Sequence, residues 1–127
     1  MSDGPRTSML DAWSKSFDDN NMFCQINLAL LPDESLWVVP GSSTRIEDSA
    51  AETQRFPDHT QPIPYPELAG LDNTQRLSAC DEYARSMPGA VQLSLEPGDC
   101  AFYRNTLWHM GSYDPFKTRA TLHGTHR

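Results

Sequence analysis

Apolar and polar side chains alternate over residues 22–31, with Cys24, Ile26, Leu28 and Leu30 on one parity and Gln25, Asn27 and Ala29 on the other. A period of two predicts a strand with both amides on one face. Buried amides need partners. That face therefore points either to solvent and neighbouring backbone, or to the inner wall of a barrel beside a polar guest. After a tight turn at residues 32–35, the uniformly apolar run 36–39 stops at Pro40-Gly41 and predicts a short buried strand. Val91, Leu93 and Leu95 alternate with Gln92, Ser94 and Glu96, a further strand that leads into the turn Pro97-Gly98-Asp99. The apolar and aromatic run 100–103 predicts another, and a second short apolar run ends in His109. Gly111, Asp114 and Pro115 break the chain. A last strand then carries Arg119, Thr121 and His123 on alternate positions, hence on one face.

Two stretches follow the helical period instead. Leu10, Trp13 and Phe17 recur at helical spacing within 8–17, with Thr7 or Ser8 as a cap. Asp72 or Asn73 opens the second helix, and Asp72 with Gln75 has the spacing of a capping box. Leu77, Cys80, Ala84 and Met87 form its apolar face, Arg76, Asp81, Glu82 and Arg85 lie mostly opposite, and Pro88-Gly89 ends it. Such a helix is expected to pack as an outer support on the sheets. Between these elements, residues 42–72 are rich in Ser, Thr, Pro and charge. Pro57, Pro62, Pro64 and Pro66 exclude a long regular element, so the stretch is expected to be a loop or lid insertion. His59, inside it, reads as a solvated side chain.

Composition narrows the possibilities. At 127 residues the chain is expected to form a single domain, and its formal charge of −7 offers no basic stripe for a nucleic acid. The longest apolar run, residues 26–31, is too short to cross a bilayer, so no membrane partner is expected. The first residues have neither the basic start nor the apolar core of a secretion signal. The cysteines are three, Cys24, Cys80 and Cys100, widely spaced and without a Cys-x-x-Cys pair. They read as buried reduced thiols of a cytoplasmic protein.

Candidate chemistry gathers near the end of the chain. The imidazole of His109 and the guanidinium of Arg119, on neighbouring strands, could point into one cavity, the first to hold a metal and the second to clamp a carboxylate. The turn Pro97-Gly98-Asp99, the strand after it, His109, and Arg119 ten residues later resemble the C-terminal half of the phytanoyl-CoA dioxygenase family. The run Leu36-Trp37-Val38-Val39-Pro40-Gly41-Ser42 is similar to that family's apolar strand ending in Pro-Gly-Ser. The resemblance covers residues 22–42 and 90–123.

It implies a mainly β fold, a double-stranded β-helix of the jelly-roll or cupin-like kind with one or two supporting helices. It implies Fe(II) and 2-oxoglutarate as cofactors, with His109 a metal ligand and Arg119 the partner of the distal carboxylate of 2-oxoglutarate. Gln25 and Asn27 would line the inner wall near the cosubstrate, Ser112 and Thr121 would offer hydroxyls to its carboxylate, and His123 would line the pocket. The reaction would be hydroxylation of an aliphatic carbon in a small-molecule substrate that the sequence does not name.

The chain departs from the family in two places. Ser43 stands where the family often has a His after Pro-Gly-Ser. No His-x-Asp or His-x-Glu pair occurs anywhere, although the family takes two of its three iron ligands from one. At the place where the pair should fall, Asp3 could be the carboxylate, with Met1 in place of the His. The chain is therefore expected to be a truncated domain whose pair lies upstream, or else a shortened relative with a decayed metal site. The rival functions are a non-catalytic cupin-like binding or structural module, and a metal-dependent cupin of another class such as an isomerase.

Overall fold

The computed structural model of the protein describes residues 15–20, 22–44, 51 and 66–127. The fold is mainly β, with two antiparallel sheets of three strands each. In the first sheet, β1 (Cys24–Ala29) lies between β4 (Cys100–Arg104) and β6 (Thr121–His126). In the second, β2 (Leu36–Val38) lies between β3 (Val91–Gln92) and β5 (His109–Gly111).

Register decides what faces what. Gln25 pairs with Tyr103 and Thr125, Asn27 with Ala101 and His123, and Ala29 with Thr121. Directly opposed residues of antiparallel strands share a face, so all of these line one side of the first sheet. In the second sheet Leu36 pairs with Gly111 and Val38 with His109. Leu36, Val38 and Ala101 form one buried cluster, with Leu93, Leu95, Tyr103 and Leu107 packed against it. The face bearing Gln25 and Asn27 is thus the inner one, turned toward Leu36, Val38, His109 and Gly111. The alternate parity, Ile26, Leu28, Phe102 and Leu122, lies on the outside, where Phe102 is 60% and Leu122 55% exposed.

The expected helix is present as α1 (Asn73–Ser86). Both halves of its capping box form: the Asp72 carboxylate accepts from the Gln75 backbone at 2.8 Å, and the Gln75 side chain accepts from the Asp72 backbone at 3.0 Å. It lies outside the second sheet, where buried Ala84 and half-buried Met87 meet the outward parity of Trp37 and Met110. Asp81 is not on its solvent side, as amphipathicity suggested. Its carboxylate accepts the Ser112 hydroxyl at 2.6 Å and fastens the helix to the end of β5.

Turn chemistry joins the strands. Asp99 N–H donates to Glu96 C=O with Gly98 at φ 94° between them, the positive φ that glycine supplies in a type II turn. The fully buried Ser42 hydroxyl donates to Val39 C=O and accepts from Trp108 N–H, so the Pro40-Gly41-Ser42 turn anchors the segment before β5.

Several expectations need correction. The strand expected from Ala90 to Leu95 is only two residues long; beyond it, Leu95 joins Asp33 in an isolated bridge. His109 opens a strand where the pattern had it closing one, because residues 104–107 turn through a Leu107 N–H to Arg104 C=O bond. Arg119 precedes β6 rather than lying within it. No disulfide joins the described cysteines, as expected, yet Cys100 is exposed and Cys24 and Cys80 only half-buried. Most of the helix expected over 8–17 and of the insertion expected over 42–72 lies outside the described residues.

Candidate carboxylate site between the sheets

His109 reaches the inner face as the first residue of β5, at the rim of the sheet, where its side is exposed. Its Nδ1 stands 2.7 Å from Leu107 C=O. With the proton on Nδ1 donated to that carbonyl, Nε2 keeps its lone pair and is available as a base or a ligand. The ring rests on Tyr103 of the other sheet, centroids 4.9 Å apart and planes tilted by 55°. The Tyr103 hydroxyl in turn accepts from Asn27 Nδ2 at 2.9 Å. Burial pushes the Tyr103 phenol above its ordinary pKa of 10.0, while the Asn27 bond, which favours the phenolate, pulls the other way. Imidazole, phenol and amide therefore form one contact chain from sheet to sheet.

Thr121 and His123 join the same face through a 2.9 Å contact between Thr121 Oγ1 and His123 Nε2. Half-buried Gln25 lies beside them by register. Ser112 does not take part: it is buried, of the opposite parity to His109 and Gly111, and its hydroxyl is committed to Asp81. Asp3 and His59 lie outside the described residues.

Arg119, in the segment before β6, is held beside the turn that leads into β2. Its Nε donates to Asp33 Oδ1 at 3.2 Å and to Ser35 Oγ at 3.1 Å, and its guanidinium carbon lies 4.8 Å from the centre of the Tyr113 ring. The Asp33 side chain is 5% exposed and that of Arg119 29%. Asp33 is held by its backbone bridge to Leu95 and accepts Ser35 N–H; Ser35 C=O accepts Ser112 N–H. The Nε edge of the guanidinium is thus engaged by protein, and among the described residues no hydrogen bond to its Nη atoms is present. A terminal edge of this kind is the fork that accepts a carboxylate in two parallel bonds.

The sequence reading missed Asp33, Ser35, Tyr103 and Tyr113. Asp33 and Ser35 read as turn residues, and nothing local marks them as partners of a side chain 86 and 84 positions away.

A cavity of about 230 Å³ between α1 and the outer face of β2 and β5 is lined mainly by apolar groups including Trp37, Met87 and Met110, with His109 also in its lining. Trp37 Nε1 is buried and has no hydrogen-bond partner among the described residues.

Among the described residues, no three His, Cys, Asp or Glu side chains gather as a metal site would require, and no helix is long and apolar enough to cross a membrane. No family model matches the chain, and no curated protein or solved structure matches it either.

Proposed function

We propose that the chain carries the cosubstrate-binding part of an Fe(II)- and 2-oxoglutarate-dependent dioxygenase of the phytanoyl-CoA dioxygenase type, built on a double-stranded β-helix. The observation that carries this reading is the presentation of Arg119. Its Nε edge is held by Asp33 and Ser35 and its terminal edge has no described partner, while His109, Tyr103 and Asn27 form a contact chain between the two sheets. In this reading Arg119 binds the distal carboxylate of the diacid. Gln25, Asn27 and Thr121 satisfy its polar atoms along the inner wall, and His109 offers Nε2 at the other end.

Iron is a different matter. An oxygenase of this kind needs two imidazoles and a carboxylate on one face of the metal. Of the expected ligands, His109 is among the described residues and Asp3, the expected carboxylate, is outside them. The described residues alone do not make an iron site, and oxygen chemistry would need ligands beyond them. What these residues can do is bind and orient a dicarboxylate.

A second reading, a non-catalytic cupin-like binding module, is favoured by the Asp33–Arg119 ion pair, which already compensates the cation that would attract the ligand. Anaerobic titration of the chain with 2-oxoglutarate, with and without Fe(II), separates the two. The dioxygenase reading expects 2-oxoglutarate binding that Arg119→Ala abolishes, and with Fe(II) a visible charge-transfer band that His109→Ala abolishes. Binding of the diacid without any band supports the non-catalytic module. Absence of both sinks the carboxylate site itself.

A further inference from the structure

We propose that Tyr113 gates the carboxylate site: its ring occupies the space between Arg119 and the inner face of β5, and a dicarboxylate enters only when it swings out. The inference rests on the carboxylate reading of Arg119. Gly111 shares the inner face with His109, two positions along the same strand. A Cβ built on Gly111 would stand 2.6 Å from Tyr113 Cζ, so the ring lies where an inward side chain of β5 would otherwise be. The face of the same ring lies against the Arg119 guanidinium, whose carbon is 4.8 Å from the ring centre. Charge repulsion from the Tyr113 phenol also raises the Tyr103 pKa, behind burial as a cause. A diacid running from Nε2 of His109 to the guanidinium would meet this ring.

The surroundings make the ring movable and the backbone fixed. Tyr113 is 60% exposed, so no packed core opposes its rotation. On one side Ser112 is tied to Ser35 and Asp81. On the other, Asp114 accepts from Phe116 N–H and Lys117 N–H in a closed turn. Rotation about the side-chain bonds of Tyr113 is then the motion that opens the site. What holds the ring closed is its contact with the cation, an exposed cation–π interaction. Apparent affinity falls by the fraction of molecules that are open.

Calorimetric titration of the full chain with 2-oxoglutarate tests the gate. Tyr113→Ala is expected to bind about three- to fivefold more tightly than the unmodified chain, the factor that an exposed cation–π contact supports. Tyr113→Phe, which keeps the ring, should bind like the unmodified chain. In proton NMR, the upfield ring-current shift of the Arg119 side-chain protons should disappear as the ligand saturates. Equal or weaker binding by Tyr113→Ala, or a ring-current shift that persists at saturation, overturns the gate and leaves the carboxylate site standing. Failure of the unmodified chain and of both variants to bind removes the site and the gate together.

Discussion

Arg119 donates Nε–H to the carboxylate of Asp33 at 3.2 Å, an ion pair between residues 86 positions apart in the chain. The contact ties the segment before β2 to the segment before β6, one from each sheet. Asp33 is the more buried partner, with 5% of its side chain exposed against 29% for Arg119. Breaking a fully buried pair costs roughly 3–5 kcal/mol and an exposed pair roughly 0–1 kcal/mol. Asp33→Ala, which also removes the acceptor for Ser35 N–H, is expected to lower stability by about 2 kcal/mol. Urea unfolding measures it, and a loss below about 0.5 kcal/mol would mean that solvent already screens the pair.

The capping box of α1 is a local device, so its contribution should be separable from the sheets. Asp72→Ala removes the side-chain acceptor of Gln75 N–H at an exposed helix end. The expected cost is about 1 kcal/mol, read as a lower melting temperature. Asp72→Asn, which keeps the acceptor, should recover most of it.

Trp37 is 6% exposed, and its buried indole N–H has no partner among the described residues. An unmet donor of this kind costs roughly 1–3 kcal/mol. Trp37→Phe deletes the donor while keeping an aromatic ring, so relief of the orphan offsets part of the lost packing. We expect it to cost less than about 1.5 kcal/mol, while Trp37→Ala costs roughly 3–5 kcal/mol. Similar losses for the two variants in chemical denaturation would show that the N–H is satisfied in solution.

Tyr103 supplies a pH signature. Burial raises its folded pKa above the unfolded value of 10.0. The stability gained by keeping the phenol neutral is therefore fully present below about pH 10 and is lost as pH rises through the folded pKa. In absorbance titration of the phenolate band, Tyr103→Phe should delete the component that ionises above the ordinary tyrosine range. Asn27→Ala removes the bond that lowers this pKa and should move that component higher still.

Elements governed by neighbours in sequence were legible before the structure. The alternation over residues 22–31 puts Gln25 and Asn27 on one face, and the capping-box spacing of Asp72 and Gln75 marks the start of α1, with Asp72 the cap where the sequence allowed Asp72 or Asn73. Elements governed by distant partners were not. Asp81 looked solvent-facing because amphipathicity cannot know that Ser112, 31 positions on, would meet it. Val91, Leu93 and Leu95 alternate perfectly, yet the ladder stops at Gln92 because the pairing slips by one residue beyond it: the β2–β3 register would set Leu95 against Glu34, and it bridges Asp33 instead. Within the candidate site His109 and Arg119 stood out by residue type. Tyr113 did not, because a tyrosine beside a chain break carries no mark of the glycine and the cation it will lie against.

The first sheet partly reverses the usual arrangement: beside the small buried Ala29 and Ala101 its inner side carries Gln25, Asn27, Tyr103, Thr121 and His123, and its outer side Ile26, Leu28, Phe102 and Leu122. A wall of this kind hides little oil from water, whatever guest it was shaped for. Scanning calorimetry should then record a heat-capacity increment on melting below the roughly 12–15 cal/mol/K per residue of ordinary globular proteins. Such a protein would have a shallow, broad stability curve, with tolerance to cold gained where tolerance to heat is modest.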